Sequence, residues 1–267
     1  MSVKADPYLF KFQDKCNEII SENEKKIIRY AQHVISKLLV TTNPALLSTS
    51  QKMGSVQPLM QLIKDNDASD LQRFEALLSL TNLAGYDEEA KNRIVSEKGI
   101  SVLSYAMFSD HELVRRAATE AMSNLVPHPD AISYLRKPDR LKVFVAFASD
   151  YDVNYECARA ASGCLAMITG DQEIAREFCK LSNSRVMVES VLSSGKLELM
   201  HRILVVLLNL IESEQQWIVS SGSLSFCEAY LQNYHNEKLK CLGFSTAEVE
   251  LMKITIRVAQ EIVSGFS

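Results

Sequence analysis

The sequence predicts an all-α protein made of about five repeated helical units, and three observations support this prediction. Long segments with apolar residues on one side of a helix recur along the chain. Equivalent positions near the ends of these segments are separated by 42, 43 and 42 residues, and they are occupied by Asn82, Asn124, Met167 and Asn209. The prolines lie outside these segments, and no part of the pattern requires a β-strand.

The chain begins with residues 1–24, which we interpret as an N-terminal extension or a first helix. Residues 25–40 follow as the long helix of a first, less regular unit. Residues 41–54 are predicted to be a loop, because they are rich in Ser, Thr and Asn. Four regular long helices are then expected to start at Leu71, Leu113, Tyr155 and Leu199.

The helix that starts at Leu113 has the clearest pattern of the four. Its apolar residues fall at the spacing i, i+4, i+7, i+8 and i+11, which is one stripe of an α-helix. These residues are Val114, Ala118, Ala121, Met122 and Leu125. The two alanines are small enough to let neighbouring helices approach closely, so the stripe predicts a helix packed between others.

A closing helix over residues 246–263 completes the array, after a second predicted loop at residues 233–246. A period near 42 residues is typical of armadillo and HEAT repeats, whose units stack into a right-handed superhelical solenoid. We therefore predict a single armadillo-type domain over residues 1–267. Less regular first and last units agree with this prediction, because terminal repeats meet solvent on one side.

In an armadillo stack the third helix of each unit lines the concave wall, so its outward-facing row is the candidate partner-binding groove. Positions four and eight residues before the repeating position share its face of the helix. The third copy is weak, because it has Gly163 and Met167 where bulky or polar groups are expected. The candidates for partner contacts are Phe74, Leu78, Asn82, Arg116, Glu120, Asn124, Arg159, His201 and Asn209.

These residue types suit the binding of an extended peptide. An amide at repeat spacing can donate to and accept from a peptide backbone, while Phe74 offers an apolar platform. Arg116 and Arg159 can pair with carboxylates of the partner. The alternative is local: the asparagines brace adjacent helices, and the arginines are solvated charges. We favour the groove, because local capping alone does not explain polar residues that recur at repeat spacing on one face.

Composition and charge exclude several classes of function. The net charge of −4 and the pI of about 5.8 do not favour nucleic acid as a partner. No apolar core of a signal peptide is visible, and the longest apolar run, residues 203–208, is too short to span a membrane. We therefore expect a cytoplasmic protein with no membrane partner. The six cysteines form no CxxC pair and are expected to be reduced and mostly buried.

Motifs for catalysis and for cofactors are missing from the sequence. The five histidines are scattered, without HExxH, and no loop has the carboxylates that calcium requires. GxSxG, the Walker-type GxxxxGK and GxGxxG are also missing. We therefore expect no enzymatic activity, no metal site and no cofactor.

Three consecutive repeats carry a more specific resemblance. They read RFEALLSLTNLAG at residues 73–85, HELVRRAATEAMSNLV at residues 111–126 and ARAASGCLAMITG at residues 158–170. They resemble the UCS domain, an armadillo module of myosin-directed chaperones, and the resemblance extends from about Lys25 to the C-terminus. It implies a co-chaperone that binds the motor domain of the myosin heavy chain and assists its folding and actomyosin assembly. The client segment is expected at positions that match Phe74 and Asn82.

Two departures from the family limit what the resemblance implies. Animal members contact Hsp90 and Hsp70 through a tetratricopeptide domain, so we expect these partners only through a domain absent from this chain. A full UCS module is longer on its N-terminal side, so the chain corresponds to the C-terminal portion of the module.

Two other functions stay open. An armadillo adaptor could bind an acidic peptide or cytoplasmic tail through Arg116 and Arg159. Nuclear-import adaptors instead use tryptophans one turn before the asparagines, where this chain has Leu78, Glu120, Gly163 and Val205. A scaffold could act through the convex face, formed by the first and second helices of each repeat.

Overall fold

The structure is a computed structural model that describes the backbone of residues 7–236 and 245–266. These residues form fifteen α-helices and one short 3-10 helix and contain no β-strand, so the predicted all-α class is confirmed. None of these described helices combines the length and the apolar character needed to cross a membrane. The contacts divide the chain into two compact units, residues 1–102 and residues 103–267.

The first unit is built around one long helix and its neighbours. Residues 7–24 of the predicted N-terminal segment belong to the first helix, and residues 1–6 lie outside the described part of the chain. The elements are α1 (Pro7–Thr41), a 3-10 helix (Pro44–Leu46), α2 (Thr49–Lys64), α3 (Asp70–Tyr86), α4 (Glu88–Ser96) and α5 (Gly99–Ala106), within which the unit boundary falls.

Helix α3 packs against both α1 and α2 in the first unit. Its apolar face is removed from solvent, with Leu77 and Leu80 fully buried. The Ser79 hydroxyl, which is also fully buried, donates to the backbone carbonyl of Ser36 on α1 at 2.9 Å. A buried hydroxyl is tolerated here because it is hydrogen-bonded, and the small side chain lets the two helices lie close together.

The loop predicted over residues 41–54 needs correction, because its second half is helical. Helix α2 begins at Thr49, since the Ser48 hydroxyl accepts from the backbone N–H of Gln51 and the Gln51 side chain accepts from the backbone N–H of Ser48. The prediction failed because the serines and threonines typical of loops are also the residues that begin helices. The same arrangement, with Ser69 and Gln72, begins α3.

The second unit has the long helix α6 followed by three sets of three helices. The last helix of each set is a long one, namely α9, α12 and α15. The bounds are α6 (Glu112–Leu125), α7 (Pro129–Leu135), α8 (Pro138–Ser149), α9 (Tyr155–Ile168), α10 (Gln172–Lys180), α11 (Ser184–Ser193), α12 (Leu197–Leu210), α13 (Gln215–Ser220), α14 (Ser223–Asn236) and α15 (Thr246–Ser264). Prolines at the first turns of α7 and α8 begin these helices, where no backbone N–H is needed.

The long helices α6, α9, α12 and α15 pack side by side in that order. The hydroxyl of Ser123 on α6 donates to the backbone carbonyl of Ala160 on α9 at 3.1 Å, which requires a close approach of the two helices. The apolar stripe predicted for α6 is confirmed as core: Val114, Ala118, Ala121, Met122 and Leu125 are all buried. The four regular long helices predicted from the sequence are α3, α6, α9 and α12.

The second predicted loop, residues 233–246, also needs correction at both ends. Residues 233–236 belong to α14, and residues 237–244 lie outside the described part of the chain. Ser245 is the N-cap of α15, where it forms a capping box with Glu248. The closing helix predicted over residues 246–263 is confirmed.

Candidate partner-binding surface

In the first unit, the outer side of α3 carries the first part of the predicted row. Phe74 and Leu78 are half-buried and Asn82 is exposed, so each of the three reaches the surface. The adjacent Arg73 is used internally, since its Nη2 donates to the backbone carbonyl of Asp65 at 2.9 Å. The surface of α3 therefore offers two apolar side chains followed by an amide.

In the second unit, α6 and α9 share a closed ring of four charged side chains. Arg116 on α6 contacts Glu120 one turn later (Nε to Oε1, 3.2 Å) and Glu156 on α9 (Nη2 to Oε2, 3.3 Å). Arg159 on α9 contacts the same two carboxylates, with Nη2 3.2 Å from Glu120 and Nε 2.9 Å from Glu156. Each arginine therefore bridges the two helices, and each glutamate is shared by both arginines.

The ring continues onto α12 through a third glutamate. Arg159 Nη1 lies 3.6 Å from Glu198 Oε1, and Arg202 Nη2 lies 2.8 Å from the same oxygen. The Tyr155 hydroxyl donates to the other oxygen of Glu198, and burial together with the Glu198 charge raises the pKa of Tyr155. We call these six charged side chains the charge strip: Arg116, Glu120, Glu156, Arg159, Glu198 and Arg202.

Gly163 explains how Arg202 reaches across from α12 to α9. The Arg202 guanidinium donates through Nη1 to the backbone carbonyl of Arg159. A Cβ atom on Gly163 would lie 2.6 Å from the same Nη1, which is closer than two such atoms can approach. The glycine that weakens the third copy of the predicted row therefore provides the space through which the arginine passes.

Three residues of the charge strip are missing from the predicted row: Glu156, Glu198 and Arg202. The sequence carries a signal for them, because Arg116, Arg159 and Arg202 recur every 43 residues and Glu198 follows Glu156 by 42. The position eight residues before Asn209 is His201, which is the neighbour of Arg202 in the sequence. On α12, it is Arg202 that joins the other arginines.

The charge strip has three positive and three negative side chains, so its formal charge is zero. The six side chains are between 17% and 41% exposed, which leaves them partly accessible to a partner. Arg116 and Arg159 are already paired inside the unit. An acidic partner would have to compete with these pairs, so the structure does not favour an adaptor for acidic peptides.

The amide positions of the second unit differ from one another. On α12, Asn209 Nδ2 donates to the backbone carbonyl of Ala166 at 2.8 Å and to the Thr169 hydroxyl at 3.0 Å. Both amide hydrogens therefore hold α12 against α9, and the local bracing alternative applies to this residue. Asn124 on α6 is half-buried, while Met167 on α9 is 47% exposed.

His201 lies beside the charge strip and contributes a neutral ring. It is half-buried, and its Nδ1 is buried without a hydrogen-bond partner among the described residues. Burial, aided by the neighbouring Arg202 charge, lowers the pKa of His201. The imidazole is therefore uncharged at neutral pH and leaves the balance of the charge strip unchanged.

Three of the described cysteines are packing residues rather than nucleophiles. Cys157, Cys164 and Cys227 are buried free thiols, and burial raises the pKa of Cys227 to about 12. A thiol that stays protonated at neutral pH is a weak nucleophile. The side chain of Cys16 and all of Cys241 lie outside the described residues. Over the part of the chain that the structure describes, no group of three or more His, Cys, Asp or Glu side chains is placed to hold a metal ion.

No protein-family model matches the chain, but several proteins are similar to it. Protein unc-45 homolog B of Danio rerio is 32% identical over 191 residues, which cover 70% of this chain and 20% of that protein. Ring assembly protein 3 of Schizosaccharomyces pombe is 29% identical over 202 residues, 70% of this chain and 27% of that protein. The chain spans 20% of the length of the unc-45 homologs that it matches.

Solved structures show the same similarity in fold. UNC-45 from Drosophila melanogaster has a TM-score of 0.75 at 24% identity, covering 89% of this chain and 29% of that chain. A second UNC-45 structure, which concerns the molecular features of this chaperone critical for binding and folding muscle myosin, has a TM-score of 0.71 at 25% identity. The match covers 87% of this chain and 26% of that chain. Computationally designed armadillo repeat proteins for modular peptide recognition have a TM-score of 0.68 at 18% identity. The match covers 89% of this chain and 92% of that chain. The predicted armadillo-type fold is therefore confirmed.

Proposed function

We propose that this chain, which belongs to the UCS family of armadillo-repeat chaperones, is a non-enzymatic co-chaperone for myosin. It binds an extended segment of the myosin motor domain in the predicted groove, along the solvent-facing rows of its long helices, and assists folding and assembly in the cytoplasm. One observation carries the proposal: the chain is 32% identical over 191 residues to an unc-45 homolog. The solved UNC-45 structure with a TM-score of 0.71 concerns the molecular features of that chaperone that are critical for binding and folding muscle myosin.

The surface of α3 supports this proposal in the first unit. Phe74 and Leu78 expose part of their apolar surface, which a client side chain can cover. Asn82 is exposed and carries both donors and an acceptor, which suit the main chain of an extended peptide whatever its sequence. An apolar contact next to a main-chain contact suits the binding of an extended client segment.

A thermal aggregation assay with a myosin motor domain tests the proposal. We expect the chain to suppress aggregation, and the double variant Phe74→Ala with Asn82→Ala to lose most of this protection. The double variant removes an aromatic contact and a main-chain contact from one surface, and truncating a hot-spot residue at the centre of an interface costs about 2 kcal/mol or more. Binding to the motor domain should therefore weaken by about tenfold or more, as measured by calorimetry.

A matched control separates this surface from general effects of truncation. Tyr105→Ala with Gln216→Ala also removes one aromatic ring and one amide, from exposed positions on α5 and α13. We expect this variant to protect the motor domain as well as the unchanged chain does. Full protection by the Phe74 and Asn82 variant, with circular dichroism showing all proteins folded, contradicts the proposed surface. An equal loss in the control variant contradicts it too.

A further inference from the structure

The face formed by α6, α9 and α12 has two parallel zones. The charge strip occupies the N-terminal halves of α9 and α12 and the middle of α6, and every arginine in it contacts at least one glutamate within 3.3 Å. Towards the C-terminal ends the face is uncharged, with Asn124, Met167 and Asn209 in the corresponding places. Met167 is the most open of these, since it is 47% exposed.

The charge strip disfavours a charged side chain of either sign. A carboxylate that approaches Arg159 meets Glu120, Glu156 and Glu198, which all lie within 3.6 Å of that guanidinium. An ammonium group that approaches Glu198 meets Arg159 and Arg202 in the same way. In both cases an existing pair must be broken and like charges brought together, so a charged ligand gains little and loses an internal contact.

The uncharged zone favours apolar and main-chain contacts instead. The Met167 thioether is flexible and polarisable, so it can pack against apolar side chains of different shapes. Asn209 donates both amide hydrogens to α9, so what it can offer a peptide is its carbonyl oxygen, an acceptor for a backbone N–H. The zone therefore suits a strand-like segment that is uncharged.

We infer that the segment bound across α6, α9 and α12 is an extended polypeptide without charged side chains, with an apolar side chain packed on Met167. This inference rests on the proposed function and specifies which part of a client the second unit selects. The charge strip provides the selectivity. Its internal ion pairs stay intact when a neutral segment binds, whereas an acidic or basic segment would have to break them.

Three labelled peptides test this selectivity by fluorescence anisotropy on the full chain. Each is about 12 residues long, which is more than enough to cross three helices spaced about 10 Å apart. They share leucines at every third position, separated by Ser and Asn in the neutral peptide, by Glu in the acidic one and by Lys in the basic one. We expect the neutral peptide to bind about tenfold more tightly than either charged peptide. Its Kd should change less than about twofold between 50 and 300 mM salt, because no charge pairs form on binding.

Two variants connect this selectivity to named residues. Glu156→Gln with Glu198→Gln removes two negative charges from the charge strip, and we expect acidic-peptide affinity to rise about tenfold and to fall again with added salt. The matched control, Glu173→Gln with Glu177→Gln, makes the same charge change on α10 and should leave the acidic peptide weak. Met167→Ala should weaken the neutral peptide about fivefold, whereas Val186→Ala, at an exposed position on α11, should not.

The outcomes separate this inference from the proposed function. If the unchanged chain binds a charged peptide more tightly than the neutral one, or binds none of the three, the inference is wrong. It is also wrong if both glutamine double variants gain acidic-peptide affinity equally. Motor-domain binding is measured alongside: if it is strong but falls steeply with salt, the inference fails while the proposed function stands. If the peptides rank as expected and the motor domain is not bound, the inference stands and the myosin function fails.

Discussion

Gly163 leaves one side of α9 open, and the Arg202 side chain from α12 lies in the space. The guanidinium donates to the backbone carbonyl of Arg159 and also contacts Glu198 at 2.8 Å. Burial lowers the pKa of Arg202, yet an arginine guanidinium stays protonated in proteins. A glycine in the middle of a helix lowers its stability by up to about 1 kcal/mol relative to alanine, so the contact it permits has to offset that loss.

Gly163→Ala is expected to destabilise the chain slightly, although alanine is the better helix former. The new methyl group displaces the end of Arg202 and removes its bond to the Arg159 carbonyl. A hydrogen bond from a charged donor contributes about 1.5–3 kcal/mol, which exceeds the gain of up to about 1 kcal/mol in helix propensity. Arg202 is partly exposed and can turn towards water, so we expect a net loss of about 0.5–1 kcal/mol in urea unfolding.

The same substitution in an Arg202→Ala background gives the control. With the guanidinium gone, only helix propensity remains, and Gly163→Ala should then stabilise the chain by up to about 1 kcal/mol. The sign of the effect therefore reverses between the two backgrounds. Equal stabilisation in both would show that the contact between Arg202 and α9 contributes nothing.

Individual contacts were harder to predict than the residues that make them. Repeat spacing predicts that Arg116, Glu120 and Arg159 lie at the surface, but it does not predict that they pair with one another. Such pairs depend on the register between adjacent helices and on which way each long side chain turns, and a helical pattern contains neither. The asparagine spacing predicts His201 rather than Arg202 on α12, because Arg202 lies one residue after the repeat position.

Asp87 joins the end of α3 to the start of α4. Its carboxylate accepts from the backbone N–H of Ala90 at 3.0 Å, as the N-cap of α4. It also pairs with Lys52 of α2, whose side chain is 9% exposed. The hydrogen bond from Lys52 holds the pKa of Asp87 below its ordinary value of 3.8, so the charged form is the one that stabilises the unit.

Asp87→Asn is expected to lower the melting temperature at pH 7. It should also make the melting temperature fall less steeply as the pH is lowered. Asparagine preserves the cap but not the ion pair. Because the folded-state pKa of Asp87 lies below the unfolded value, its stabilisation is complete above about pH 4 and is lost as the pH falls further. Part of the acid dependence should remain, since Arg29 lowers the pKa of Asp65 in the same way.

Thermal unfolding between pH 7 and pH 3 measures this effect. Asp152→Asn, at an exposed position in the turn between α8 and α9, is the matched control and should follow the unchanged chain. If Asp87→Asn loses stability below pH 4 as steeply as the unchanged chain does, Asp87 contributes nothing to the acid dependence.

The long helices could be predicted because each has a wide apolar face that its neighbours bury. Helix boundaries were less predictable, as the segment from Thr41 to Gly54 shows. Its serines and threonines are typical of loops, yet Ser48 and Gln51 form the capping box that begins α2. Local composition alone does not distinguish a cap from a loop, because both use the same side-chain hydrogen bonds.

Stability in a repeat protein is shared mainly between adjacent repeats. An armadillo unit contacts its neighbours and few other parts of the chain, so its stability is a sum of local and nearest-neighbour contributions. The contacts of α12 follow this rule: its long-helix neighbours are α9 and α15. The predicted single domain over residues 1–267 stays a prediction. It is tested by how far the loss of stability from one buried substitution extends along the chain.

Leu207→Ala is expected to loosen the helices around α12 and to leave α1–α3 almost unchanged. Leu207 is fully buried, and removing a buried leucine side chain costs about 2–5 kcal/mol because it leaves a cavity. Hydrogen exchange followed by mass spectrometry should show faster exchange in α9, α12 and α15. Leu80→Ala, at a fully buried position on α3, is the matched variant and should instead affect α1, α2 and α3. If either substitution accelerates exchange equally in every described helix, the chain opens as one cooperative domain, and coupling limited to neighbouring repeats is wrong.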